Sequence, residues 1–338
     1  MVIKMSRKKF IILISSLIII FGVVLTILLI KGPSKTDSQK FDEYGEEHKK
    51  YANTFDLKLI KEKNEQYYVI TGLTTIGSSI SDLIIPHTID GIKVKKLLSN
   101  KDFSDYRFTE YVTIGSNIEY IGEENGNTFG NNAFINAINL KAIKVDINNN
   151  LYSSIDGVLY SKDKTILLKY PNNANLEDES IVNIRSGVTT IYENAFVNNQ
   201  NIKSVVFNDS LTVIMDNAFK NCQNLSKLDF SKTIALNEIG AFAFYKCVNL
   251  TRVMLPNGLK KIGNNAFANC NTAKTMNFVE LYIPDSVSDL GLHICYNTSN
   301  IDGFILSTTA SNIENLKKNH AKFDISEDEV DKKIKIYK

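Results

Sequence analysis

Tryptophan is absent, which removes one common anchor for stacking against carbohydrate, although 15 tyrosines remain. Histidine is scarce and scattered: His48, His87, His293 and His320 form no local set. The four cysteines (Cys222, Cys247, Cys270 and Cys295) never approach the C-x-x-C spacing of a zinc site. There is no G-x-S-x-G, no H-E-x-x-H and no P-loop. Asp146–Asn150 starts like a calcium loop, but the glycine at the sixth position and the closing glutamate are missing. No titratable cluster suggests a catalytic constellation, so neither an enzyme nor a cofactor nor a metal is expected. Net charge is only +2, and four of the positives (Lys4, Arg7, Lys8 and Lys9) lie in the first nine residues. That leaves no case for nucleic acid. A sorting signal of the L-P-x-T-G type is also missing.

What the chain does have is a repeated phrase. Asn217-Ala218-Phe219 is followed by Cys222, Ala243-Phe244 by Cys247, and Asn265-Ala266-Phe267 by Cys270. From Phe196 through Phe219 and Phe244 to Phe267 the steps are 23, 25 and 23 residues. Phe134 carries an earlier copy. A period near 23 marks a solenoid, within the roughly 20–29 residues of leucine-rich repeats. An L-x-x-L-x-L template fits Leu140, Ile143 and Val145; Ile202, Val205 and Phe207; Leu225, Leu228 and Phe230; Leu250, Val253 and Leu255. Its alternating pair has the period of two that a half-buried strand requires. No rung buries its apolar strip alone, so neighbours must stack.

The closest copy runs Leu250-Thr-Arg-Val-Met-Leu-Pro256-Asn-Gly-Leu259-Lys-Lys-Ile262-Gly263-Asn-Asn-Ala266-Phe267-Ala-Asn-Cys270. It resembles the repeat of the BspA-like leucine-rich repeat surface proteins, L-x-x-I-x-I-P-x-x-V-x-x-I-G-x-x-A-F-x-x-C. A second signature of that family is Tyr152-Ser-Ser-Ile-Asp156-Gly157-Val158-Leu159-Tyr160, then Leu167, Leu168, Tyr170 and Pro171. The resemblance covers most of residues 55–306 and implies a binding scaffold, with surface adhesion as the leading role.

Along the chain, residues 1–9 read as a basic cytoplasmic tail. Phe10–Ile30 has no charge in 21 residues. As a helix it would span about 31 Å, the thickness of a bilayer core. No small-residue cleavage site and no lipoprotein cysteine follows, so an uncleaved, single-pass signal anchor is expected, N-terminus inside and the rest extracellular. Residues 31–54 form a polar stalk. Residues 55–306 form the repeat domain, opened by a hairpin cap over Phe55–Thr71 that covers the first rung. Residues 307–338 hold a short helix near Asn312–His320 and a charged tail from Ile325. Loop insertions are expected at Glu123–Gly130 and Asn271–Val279. Between Phe134 and Phe196 the step of 62 residues is too long for two rungs, and Asp156-Gly157 predicts extra hairpin strands there. Beyond Cys270 a register offset of 28 matches Pro284 to Pro256, which puts Cys295 in a phenylalanine position.

The expected fold is thus a β-rich (α+β) leucine-rich repeat solenoid with short strands and irregular convex turns, preceded by one transmembrane helix. An outside location permits disulfides, yet a repeat-equivalent cysteine is more simply a small buried apolar residue, so free thiols are expected. The remaining surface is the solvent face of the strands. Lys203, Lys227, Asp229, Arg252 and Met254 stand there, with Lys227 and Arg252 in one column. They are the candidate contacts for a protein ligand on a host, matrix or envelope surface. A second possible role is an envelope scaffold that holds another membrane protein.

Overall fold

The computed structural model describes residues 46–98, 106–122, 130, 134–174, 180–270, 280–298 and 304–337. The expected membrane segment 10–30, the tail before it, the stalk to residue 45 and the insertions at 123–129 and 271–279 lie outside them. No helix among the described residues is long and apolar enough to cross a membrane. Residues from Tyr51 onward belong to one compact unit.

Each rung contributes two short strands. The first comes from the L-x-x-L-x-L half. Ile181–Asn183, Ser204–Val206 and Lys227–Asp229 pair in parallel, as do Arg252–Met254, Glu280–Tyr282 and Ile305–Thr308. The middle residues (Val182, Val205, Leu228, Val253, Leu281) are buried and their neighbours are not. Asp82–Ile85, Tyr111–Ile114 and Ala142–Val145 form a separate parallel ladder of the same kind nearer the N-terminus.

The return half is more regular than the expected irregular turns. Thr190–Ile191, Val213–Ile214, Glu238–Ile239, Lys261–Ile262 and Asp289–Leu290 form a second parallel ladder. The pairing of Lys261 with Asp289 and Ile262 with Leu290 is the offset of 28 read from the sequence.

The repeated phrase now has a physical reason. Asn194, Asn217 and Asn265 have φ of 58°, 55° and 56°. Asparagine tolerates this left-handed conformation better than most residues, because its short side chain bonds locally. Where the middle rung lacks asparagine, Phe242 takes the same conformation at φ 56°. The phenylalanines then stack. Ring centroids are 4.6 Å apart for Phe196–Phe219, 5.2 Å for Phe219–Phe244 and 5.2 Å for Phe244–Phe267, with planes within 14°. Tyr170 extends the column, 4.8 Å from Phe196. It is the rung hidden in the long step before Phe196. Cys295 ends the column, since Phe267 N–H donates to Ile294 C=O just as Phe244 N–H donates to Ala266 C=O. Phe134 is buried outside this column, edge-on to Tyr106 at 5.2 Å.

The cysteines form a second column. Cys222, Cys247 and Cys270 are buried free thiols. Each Sγ donates, at 3.1 Å, to the carbonyl of the phenylalanine one rung back: Phe196, Phe219 and Phe244. Thr298 does the same with its hydroxyl, 2.8 Å from Phe267 C=O. Sequence inspection treats Cys as a small apolar filler. The structure makes it also a donor that satisfies a buried carbonyl. Burial pushes the Cys222 thiol up to about 12, and the other three upward as well. The native protein should therefore leave all four thiols unmodified by a thiol reagent at pH 8, with complete modification in denaturant. A thiol that reacts in the native state would contradict this packing.

Both ends are capped. Phe55–Lys61 and Gln66–Leu73 form the expected antiparallel hairpin. A further hairpin, unread in the sequence, turns at Asp90-Gly91 with φ of 49° and 76°. Tyr152–Ile155 and Val158–Ser161 pair antiparallel around Asp156-Gly157. At the C-terminus the helix Ile313–Lys318 is followed by a strand, Ile334–Ile336, parallel to Ile305–Thr308. The segment from Ile325 is therefore an ordered cap rather than a charged tail. Phe323, Ile325 and Ile334 anchor it, each no more than 2% exposed.

Candidate functional site

The strand face has two outward columns. One runs Ile181, Ser204, Lys227 and then Arg252, Glu280, Ile305. The other runs Asn183, Val206, Asp229 and then Met254, Tyr282, Ser307. The ladder is interrupted between Lys227–Asp229 and Arg252–Met254, where the rung is two residues longer and Ile234 is 80% exposed.

Lys203 and Lys227 are both exposed, and Lys227 N–H donates to Lys203 C=O at 3.2 Å. Neither makes an ion pair among the described residues. Asp229 accepts from Ser231, which holds its carboxyl below the usual range; Lys227 and Lys232 add to this. Arg252 belongs to a different set. Its Nε lies 2.6 Å from Glu280 Oε2, and its guanidinium lies over the ring of Tyr337 at 5.4 Å. The structure thus keeps Lys203, Lys227 and Asp229 together and draws Arg252 toward the C-terminal cap. Met254 is half-buried beside Tyr282. Glu280 was legible: it stands four residues before Pro284, as Arg252 stands four before Pro256. Tyr337 was not, because it lies in the segment taken for a tail.

Concavities on this face include one of about 520 Å³ at Asn183, Val206 and Asn208 and two more. One, of about 630 Å³, has an apolar floor that includes Ile305, Ile313 and Ile334. Its rim carries Arg252–Glu280 and the Lys317–Asp331 pair at 2.7 Å. The other, of about 580 Å³, lies between Tyr111 and Ile181. Among the described residues no group of three or more His, Cys, Asp and Glu could hold a metal.

Stacked two-strand rungs, a column of aromatic rings and an open strand face define a leucine-rich repeat solenoid. Such solenoids serve as binding scaffolds. Residues 189–319 match the family described as BspA type leucine rich repeat region, in six copies. No curated protein matches the chain. Among solved structures, the chain is similar to a leucine rich cell surface protein from Faecalibacterium prausnitzii A2-165. Identity is 19% over 74% of this chain, with a TM-score of 0.50, and the match spans 65% of that protein's length. The pneumococcal vaccine antigen PcpA matches at 16% identity, covering 85% of this chain and 98% of that one, with a TM-score of 0.41. A leucine-rich repeat protein of T. pallidum matches at 23% identity, covering 72% and 86%, with a TM-score of 0.36.

Proposed function

We propose that this chain is a surface-displayed binding protein, anchored by residues 10–30, whose strand face holds a protein on a foreign cell or matrix. The observation that carries this reading is the face itself. Lys203 and Lys227, without an ion pair among the described residues, share this face with half-buried Val206, Met254 and Tyr282, a mixed charged and apolar surface of the kind that makes protein contacts. The apolar run Phe10–Ile30 and its basic flank support outside display of the solenoid. The cell-surface description of the Faecalibacterium protein agrees with it.

The test is a pull-down with residues 51–338, which form one compact unit. Baits are intact foreign cells, matrix proteins and the producer's own membrane extract, with Lys203→Glu/Lys227→Glu beside the native sequence. Capture of a foreign component, weakened roughly 10-fold or more by the double change, is the expected result. Capture of the producer's own membrane proteins alone would move the role to an envelope scaffold.

A further inference from the structure

The 580 Å³ cleft is where the strand-face ladder breaks at the Asp156-Gly157 hairpin. Its two walls are both sheet edges, but they differ. Ala142–Val145 is already occupied on the cleft side: Ile143 N–H donates to Gly157 C=O at 2.8 Å and Val145 N–H to Ser154 Oγ at 2.9 Å. Among the described residues the opposite strand, Ile181–Asn183, pairs only with Ser204–Val206. In a parallel ladder alternate residues direct their N–H and C=O to opposite sides. Ser180 C=O and Ile184 N–H face the 204–206 strand. Ile181 and Asn183 therefore turn their backbone groups the other way, and both line the cleft. Among the described residues one wall is thus an unfilled strand position, the feature that accepts an extended peptide.

The polar groups around it are also unspent. Tyr160 and Tyr170 line the cleft, are 5% and 9% exposed, and their hydroxyls make no hydrogen bond among the described residues. Burial raises both, Tyr170 to about 12, so they remain protonated donors at neutral pH. Arg185 stands at the same wall, close enough to Tyr160 to act on it electrostatically. Among the described residues its guanidinium makes one hydrogen bond, to Ser186 C=O at 3.5 Å, and no carboxylate pairs with it. The other basic residue of the cleft, Lys141, is paired with Glu110 at 2.8 Å. Asp156, at the hairpin turn, is the one carboxylate among the described lining residues.

We propose that the cleft receives an extended, acidic peptide segment of a protein partner, added as a strand beside Ile181–Asn183. One carboxylate of that segment meets Arg185 and the hydroxyls of Tyr160 and Tyr170. This assignment rests on the protein-binding role and names the site and chemistry of one contact within it.

The test pans phage-displayed random linear peptides against the full chain in detergent micelles, and against Arg185→Gln. Arg185 is exposed, so this change leaves the fold intact. Enriched peptides should carry Asp or Glu. A synthetic peptide of the enriched sequence should bind Arg185→Gln roughly 10- to 100-fold more weakly, as loss of a hydrogen bond to a charged group implies. N-methylation of its backbone at alternate positions should weaken it comparably. No enrichment, equal binding to Arg185→Gln, or indifference to N-methylation would overturn the assignment. If the solenoid still captures a foreign surface component through Lys203 and Lys227, only the cleft assignment falls. If that capture fails as well, the protein-binding role falls with it.

Discussion

Phe219→Ala is expected to lower stability by about 3–5 kcal/mol, the range for deleting a buried aromatic ring. Phe219 is fully buried and stands in mid-column, 4.6 Å from Phe196 and 5.2 Å from Phe244, with Phe207 edge-on at 6.0 Å. In a stacked array stability is close to a sum of rung terms and nearest-neighbour interfaces. A missing ring here weakens two interfaces at once, and the backbone ladder on both sides resists collapse into the gap. The column does without a ring only at its end, where Cys295 fills the slot after Phe267. Urea unfolding of residues 51–338 measures the effect. A loss below about 1 kcal/mol would show that the stacked rings are not what holds the rungs together.

Lys169→Met is expected to act in the opposite direction. Lys169 is 1% exposed and its Nζ has no hydrogen-bond partner among the described residues. Burial lowers its pKa from 10.5 to about 8. At neutral pH the ammonium is charged in both the folded and unfolded chain, so the cost of burying it is fully present. The difference in pKa corresponds to on the order of 3 kcal/mol. Between pH 8 and 10.5 the folded chain gives up this proton while the unfolded chain keeps it, so the Lys169 contribution to stability climbs with pH across that window, against the four buried thiols, whose raised pKa values lower stability as the pH passes 9. Above it both states are neutral and the cost is gone. Methionine fills a similar volume without the charge. The variant should be more stable than the native protein at pH 7, and the difference between the two should shrink as the pH rises from 8 to 10.5, because the thiols are common to both. Unfolding curves at pH 7, 9 and 10.5 test it. A destabilised Lys169→Met would mean that the ammonium has a partner or reaches water.

These two residues mark what the sequence did and did not show. Phe219 was legible because its neighbours repeat it at a fixed step, and a period survives without knowledge of contacts. The rung containing Tyr170 was not, because the Asp156-Gly157 hairpin inserts two strands and shifts the count. Lys169 lies in that shifted stretch, within Ile166–Lys169, where a strand with three buried residues in a row has no simple alternation. The C-terminal cap was hidden for a related reason. Phe323, Ile325 and Ile334 follow no repeat and lie among charges, so composition there suggests a tail. The Asp90-Gly91 hairpin carried a readable signal in its dipeptide, but it sits where the repeat pattern is weakest. Of the candidate contacts, Lys203, Lys227 and Asp229 lie together because the register is set by the repeat. Arg252 is drawn aside by Tyr337, a partner 85 residues away in sequence.

The most direct test of the binding account is hydroxyl-radical footprinting of residues 51–338, free and with the captured partner. Met254 and Tyr282 report on the strand face, and Tyr245 and Tyr296 report on the turns. Occupation of the strand face predicts protection of Met254 and Tyr282, with Tyr245 and Tyr296 oxidised as in the free protein. Protection of Tyr245 and Tyr296 alone would place the partner on the turns and contradict the account.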